Sequence, residues 1–182
     1  MIAGPSGVGK GSVVRTLLSR DPEGLVRSVS ATTRPRRPEE VDGVDYLFVP
    51  ESEFDRMVAV GELLEWAEVF SGDRYGTPSV GVARGLDQGR DVILEIDVQG
   101  AAQVRDHDPD SLLILLAPPS LDELERRLLG RATETEAKLA ERLAKAEWEL
   151  SQAGWFDRVV VNDDLERASA EVAAIIDASR TP

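Results

Sequence analysis

At 182 residues the chain has the length of one domain, and 42% apolar with 30% charged residues is a balance that can bury a core. A formal net charge of -13, from 21 basic against 34 acidic residues, argues against sequence-independent binding to nucleic acid or to an anionic membrane, so an anionic ligand needs a local basic site. Cysteine is absent and His107 is the single histidine, which excludes disulfides, thiolate metal sites and histidine-rich metal sites. The longest apolar run, Leu112 to Ala117, is too short to span a bilayer, and no basic segment followed by an apolar one precedes it. The expected compartment is the cytoplasm.

In chain order, Met1-Ile2-Ala3 reads as a strand, short enough to suggest that the native chain extends before Met1. A glycine-rich loop follows, and Val13, Val14, Leu17 and Leu18 then recur at helical spacing to about Arg20. Leu25 to Ser30 reads as a second strand, and Thr32 to Pro38 as a basic loop that Pro35 and Pro38 keep non-helical. Short units come next: a strand over Tyr46 to Val49, a helix from Ser52 to about Val60, and a strand over Leu63 to Val69. A longer alternation then resumes, with helices over 79–88, 100–105, 121–129, 137–153 and 165–178 and strands over 91–97, 112–117 and 159–161. Apolar strands separated by amphipathic helices predict an α/β fold with a parallel sheet covered by helices on both faces.

The loop Gly4-Pro5-Ser6-Gly7-Val8-Gly9-Lys10-Gly11-Ser12 meets the Gly-x-x-x-x-Gly-Lys pattern, with a strand before it and a helix after it. Its glycines let backbone N–H groups converge on an anion at the partial positive end of the helix, and Lys10 can bridge the β- and γ-phosphates of a nucleotide. This predicts a P-loop NTPase-type core that binds a nucleoside triphosphate. The hydroxyl residue that commonly follows the lysine as a Mg2+ ligand is Gly11, with Ser12 one place later; the Lys-Gly-Ser order resembles the loop of adenylate kinases. Direct and water-mediated metal contact both remain open for Ser12.

The segments Ser28-Val-Ser-Ala-Thr-Thr-Arg34-x-x-Arg37-Pro, Glu40-Val-Asp-Gly-Val-Asp-Tyr46-x-Phe, Glu65-Trp-Ala-Glu, Tyr75-Gly-Thr77, Glu95-Ile-Asp97-Val-Gln-Gly100, Ala117-Pro-Pro-Ser120, Thr133-Glu-Thr-Glu136 and Val161-Asn-Asp-Asp164 resemble the guanylate kinase family, in that family's order. The resemblance covers essentially the whole chain. It implies transfer of the γ-phosphoryl group of ATP to GMP, with Mg2+, in purine nucleotide metabolism. It also implies a core over about 1–31, 80–130 and 154–182, an inserted GMP-binding subdomain over about 32–79 and a short lid over about 131–153.

By the same resemblance Ser30, Arg34, Arg37, Tyr46 and Tyr75 hold the GMP phosphate, a reasonable cradle for a dianion because Arg27, Arg34, Arg36 and Arg37 cluster here without compensating acids; the other reading is a solvated basic loop. Guanine presents N1–H and a 2-amino group, two donors on one edge, which calls for an acceptor pair. Glu65 is the family's carboxylate for that edge, with Thr77 and Asp97 as partners; taken alone, a strand glutamate reads as a solvated carboxylate. Asp97 ends an apolar strand, where ligands bind in parallel sheets, and it could serve Mg2+ through water as well as the acceptor; Glu95 could share that task or pair with a buried arginine. Arg127, Arg131 and Arg142 match the family's lid arginines, where arginine neutralises charge on the transferred group. Without the family, Arg126, Arg127 and Arg142 read as helix surface charges paired with Glu123, Glu125 or Glu141. Ala132 stands where the family has a second lid glycine, and Asn162 is a candidate for the adenine side of the donor site. The expected mechanism is closure around both nucleotides to exclude water. Two other readings stay open, a kinase of another phosphorylated acceptor and a non-catalytic guanylate-kinase-like binding module; retention of Lys10, Arg131 and Arg142 weighs against the second.

Overall fold

Strand-forming and helix-forming segments alternate in the folded chain largely where the apolar spacing puts them. The computed structural model describes residues 1–69, 72–129 and 136–180, without the side chains at 136 and 137. Its elements are β1 (Ile2–Ala3), α1 (Lys10–Arg20), β2 (Leu25–Arg27), β3 (Ala31–Thr32), β4 (Leu47–Phe48), α2 (Glu51–Ala59), β5 (Leu63–Glu68), β6 (Arg74–Pro78), α3 (Ser79–Asp87), β7 (Asp91–Ile93), α4 (Val98–His107), β8 (Ile114–Ala117), α5 (Leu121–Leu129), α6 (Glu136–Ser151), β9 (Arg158–Val161) and α7 (Leu165–Ser179). They gather into two compact units, one made of Met1–Asp21, Glu95–Val98 and Ser111–Pro182, the other of Pro22–Leu94 and Gln99–Asp110.

In the first unit β1, β8 and β9 form a parallel sheet in the order β1-β8-β9. The central strand Ile114-Leu-Leu-Ala is apolar throughout, as a parallel strand flanked on both sides must be. Glu95 adds a single parallel bridge to Ile2. Helix α1 buries Val13, Val14 and Leu17 and packs with α7, whose Ala168 and Val172 are fully buried. Leu124, Leu128 and Ala146 join α5 to α6 in a small apolar cluster that Leu139 and Leu143 complete.

The second unit holds a parallel pair, β2 with β7, and a mixed four-stranded sheet in the order β4-β3-β6-β5. Helix α2 inserts Phe54 and Met57 among Ala31, Leu47, Val49 and Leu63. Phe54 meets the Trp66 ring edge-on at 6.3 Å, and the Arg74 guanidinium lies 4.7 Å from the Phe54 ring.

Several boundaries differ from the sequence-based expectation. The predicted strand 25–30 keeps its ladder with β7 only to Arg27, with a last bond from Ser28 N–H to Ile93 O, and β3 then begins at Ala31 in the other sheet. The predicted strand 91–97 keeps its ladder only to Ile93. Strand β6 was not expected: Arg74-Tyr-Gly-Thr-Pro lacks the alternation that marks a strand, yet it is paired on both sides. Among the described residues no helix is long and apolar enough to cross a membrane.

Candidate active site

The glycine loop leaves β1 and ends where α1 begins. Gly9, at the N-cap of α1, has φ 99°, and a Cβ there would stand 2.5 Å from Asn162 Nδ2, so only glycine turns the loop into the helix at this point. Asn162 Nδ2 donates to Val8 O at 2.7 Å, and Arg127 donates to Asn162 O at 3.0 Å and to Val8 O at 3.4 Å. Asn162 and Arg127 therefore act as struts under the loop. Arg127 is in turn held by Glu123 at 2.8 Å.

Glu123 accepts from Arg126 and from Arg127, which together push its carboxyl down to about 2 from an ordinary 4.5. Because the folded value is the lower one, the contact stabilises the fold above about pH 4.5, and that contribution is lost as pH falls toward about 2. Replacing Glu123 with glutamine is expected to lower the thermal midpoint at pH 7, with the difference from the parent shrinking as pH falls from 4.5 toward 2. A difference independent of pH in scanning calorimetry would contradict that assignment.

Lys10, at the first position of α1, donates to Gly4 O at 2.6 Å and to Pro5 O at 3.3 Å. Burial lowers its pKa, while Glu95, Glu149 and Asp97 oppose that by favouring the charged form. A Cβ at Gly11 would come within 3.3 Å of Glu95 Oε1, so the glycine after Lys10 leaves room for that carboxylate beside the loop. Asp97 pairs with Lys145 of α6 at 3.1 Å, and Lys145 also lies 3.8 Å from Glu149. Glu149 is buried; one of its oxygens has no partner among the described residues, and burial raises its pKa. Ser12 Oγ accepts from Arg15 at 3.2 Å. Arg142 lies on α6, whereas Arg131, Gly130 and Ala132 fall outside the described residues.

Of the acceptor candidates all but Asp97 lie in the second unit, where Glu65, Tyr75 and Thr77 stand on its mixed sheet. Residues two apart on a strand face the same way, so Tyr75 and Thr77 of β6 share a face. On that face Glu65 of β5 is paired opposite Thr77, and Thr32 of β3 opposite Tyr75. At one end Glu65, 4% exposed, accepts from the Thr77 hydroxyl at 2.6 Å. At the other, Arg34 Nε donates to Tyr75 Oη at 3.0 Å, and the Tyr46 ring stands 5.7 Å from Tyr75 and 5.6 Å from the Arg34 guanidinium. Ser30 precedes β3, and its carbonyl accepts from Leu47 N–H.

Glu40, not named among the candidates from the sequence, is a neighbour of this end of the sheet. It accepts from Arg34 Nη2 at 2.6 Å and from the Arg37 backbone N–H at 2.8 Å. The basic loop is therefore not uncompensated: the acid lies just beyond Arg37, and the Arg-x-x-Arg-x-x-Glu spacing is the signal that could have shown it. Burial alone would raise Glu40, but Arg34 and the Arg37 N–H outweigh it and hold the carboxyl below its ordinary value. Burial likewise works against the Arg34 charge, and Glu40 with Tyr75 more than offsets it. Arg37 makes a 3.8 Å ion pair to Glu40, and its side chain is 54% exposed.

The residues named from the sequence thus fall into two sets. Gly4 to Ser12, Asp97, Arg127, Arg142 and Asn162 belong to the first unit, and Ser30, Arg34, Arg37, Tyr46, Glu65, Tyr75 and Thr77 to the second. Chemically, the first offers an anion-binding loop with a lysine, and the second a sheet face with a basic cradle at one end and a buried carboxylate at the other.

Comparison with known proteins identifies the family. The guanylate kinase family model matches residues 1–179. The chain is 55% identical over 168 residues to the guanylate kinase of Thermosynechococcus vestitus, covering 92% of this chain and 87% of that protein. It is 51% identical over 181 residues to the guanylate kinase of Thermobifida fusca, covering 100% and 91% respectively. The crystal structure of guanylate kinase from Anaplasma phagocytophilum superposes with a TM-score of 0.81 at 34% identity, over 100% of this chain and 85% of that one. With a P-loop NTPase-type α/β fold and matches over nearly its full length, the chain belongs to the guanylate kinase family.

Proposed function

We propose that the protein transfers the γ-phosphoryl group of ATP to GMP, giving ADP and GDP. The observation that carries this reading is the β6 face, where a buried carboxylate at Glu65 and an arginine cradle at Tyr75 stand two residues, about 7 Å, apart along one strand. That spacing suits a purine at Glu65 and Thr77 and its phosphate at Arg34, Arg37, Tyr46, Tyr75 and Ser30. Ionised Glu65 offers two acceptors to the two donors of guanine, whereas the matching edge of adenine carries one acceptor and one donor.

In the reaction an oxygen of the GMP phosphate bonds to the γ-phosphorus of ATP as the bond to the β-bridging oxygen breaks, and ADP leaves. The loop N–H groups at the start of α1 and Lys10 hold the donor phosphates, with Arg127 and Asn162 supporting the loop. Arg37, Arg131 and Arg142 neutralise charge on the transferred group. The stretch 32–79 acts as the GMP-binding subdomain and 131–153 as the lid. Aligning both nucleotides while excluding water lets GMP rather than water accept the group.

The oxygen-only set around the loop, Ser12, Asp97 and Glu95, fits Mg2+, and among the described residues no protein-only cage of metal ligands competes with it. Mg2+ keeps several waters and phosphate oxygens, so Ser12 and Asp97 would hold it, Asp97 through water, and the ion would supply charge neutralisation on the β- and γ-phosphates. A cytoplasmic location fits these substrates.

ADP release measured with ATP, Mg2+ and each of GMP, AMP, CMP and UMP tests the reading. Turnover is expected with GMP, and at least about 10²-fold lower kcat/KM with the others, as for a site built on hydrogen bonds to the base. Faster turnover of another acceptor, or none with GMP, would overturn it.

A further inference from the structure

Glu65 lies against the first turn of α4. A Cβ built on Gly100 would stand 2.3 Å from Glu65 Oε2 and 3.0 Å from its Cδ, closer than real Cβ contacts come. The clash could be relieved by moving the helix or by moving the carboxylate. The helix is tied down three residues later: Gln103 Oε1 accepts from Trp66 N–H at 3.1 Å, and Gln103 Nε2 donates to Trp66 O at 2.7 Å. The amide thus completes the backbone pairing of β5, the outer strand of its sheet, at the residue next to Glu65. Glu65 is also fixed from its other side by the Thr77 hydroxyl, so its carboxylate is wedged between β6 and α4.

We infer that Gly100 and Gln103 are positioning residues for base recognition: Gln103 fixes the distance between α4 and β5, and the absence of a side chain at Gly100 leaves the one space in which the Glu65 carboxylate can face a purine edge. The start of α4 adds to this, because the positive end of a helix favours a negative charge beside it. The inference rests on the reading of Glu65 as the base acceptor. It adds that purine selectivity is set by a helix turn outside the sheet that carries the binding residues.

A double-mutant cycle with a stability readout tests it. Gly100→Ala is expected to lower kcat/KM for GMP about 10²-fold, mainly through KM, with the KM for ATP unchanged. Its preference for GMP over IMP, which lacks the 2-amino group, should shrink. In a Glu65→Ala background, where the methyl has room, the same substitution should change kcat/KM by less than about two-fold. If Gly100→Ala alone folds poorly, Glu65→Ala should restore its thermal midpoint. Parent-like GMP kinetics in Gly100→Ala, an equal cost in both backgrounds, or a double variant as unstable as the single one would each overturn the inference. Unchanged GMP turnover in Glu65→Ala alone would instead remove the acceptor reading, while the thermal midpoints would still report on the wedge.

Discussion

Replacing Lys10 with methionine is expected to lower kcat about 10²- to 10³-fold and to weaken ATP binding, with GMP binding unchanged. Methionine keeps most of the length and removes the charge. The ammonium donates to the carbonyls of Gly4 and Pro5, and Glu95, Glu149 and Asp97 favour its charge, so it is a positive point placed among acceptors in a partly dry loop. In such surroundings a fixed charge aimed at the developing negative charge is worth far more than in water. Arginine is not expected to rescue, because its planar fork cannot occupy the position of a compact ammonium that reaches two carbonyls of its own loop. GMP affinity serves as the internal control, since every acceptor residue of the second unit is left intact. Steady-state kinetics with calorimetric titration of each nucleotide separates the two effects. Equal losses of ATP and GMP binding would mean that the substitution had damaged the fold.

Replacing Glu65 with glutamine is expected to lower kcat/KM for GMP about 10²- to 10³-fold, with the KM for ATP unchanged. Guanine brings two donors to this point, and an amide answers one of them with a donor of its own. The loss is a charge-assisted hydrogen bond, roughly 1.5–3 kcal/mol, together with the cost of two donors facing each other in a buried place. Thr77 sharpens the effect: its hydroxyl donates to Oε1 and so orients the carboxylate, and it would hold a glutamine with the amide nitrogen turned toward the base. Kinetics with GMP and AMP in parallel checks this. A variant that turns over GMP like the parent would remove Glu65 from base recognition.

Much of this arrangement could be read from the residues. The phosphate loop carries its own signature, because a helix opening on Gly-x-x-x-x-Gly-Lys has few other uses, and the strand-helix alternation after residue 79 follows from apolar spacing alone. What escaped depends on partners far away in sequence. Strand β6 contains Gly76, which strand propensity disfavours; a Cβ there would press to 2.8 Å from Leu63 and 3.0 Å from Trp66, so close packing of β5 on β6 explains the glycine and hid the strand. Glu40, Gln103, Lys145 and Glu149 look like ordinary polar surface in the sequence. Their roles appear only when folding brings Arg34, Trp66 and Asp97 to them. Arg126 and Arg127 converge on one carboxylate, Glu123, where the sequence left Glu123, Glu125 and Glu141 open as partners. The boundary between Asp97 and Gly100 also has no sequence signal, since the two are three residues apart in one motif and yet belong to different units.

Phosphorus NMR of the purified protein with ATP, GMP and Mg2+ tests the central claim most directly, because it identifies both products in one sample. The account predicts that the β-phosphate resonances of GDP and ADP appear together, in equal amounts, while those of ATP and GMP decline, with no matching growth of inorganic phosphate. ATP consumed into ADP and inorganic phosphate with GMP untouched, or no consumption at all, would contradict it.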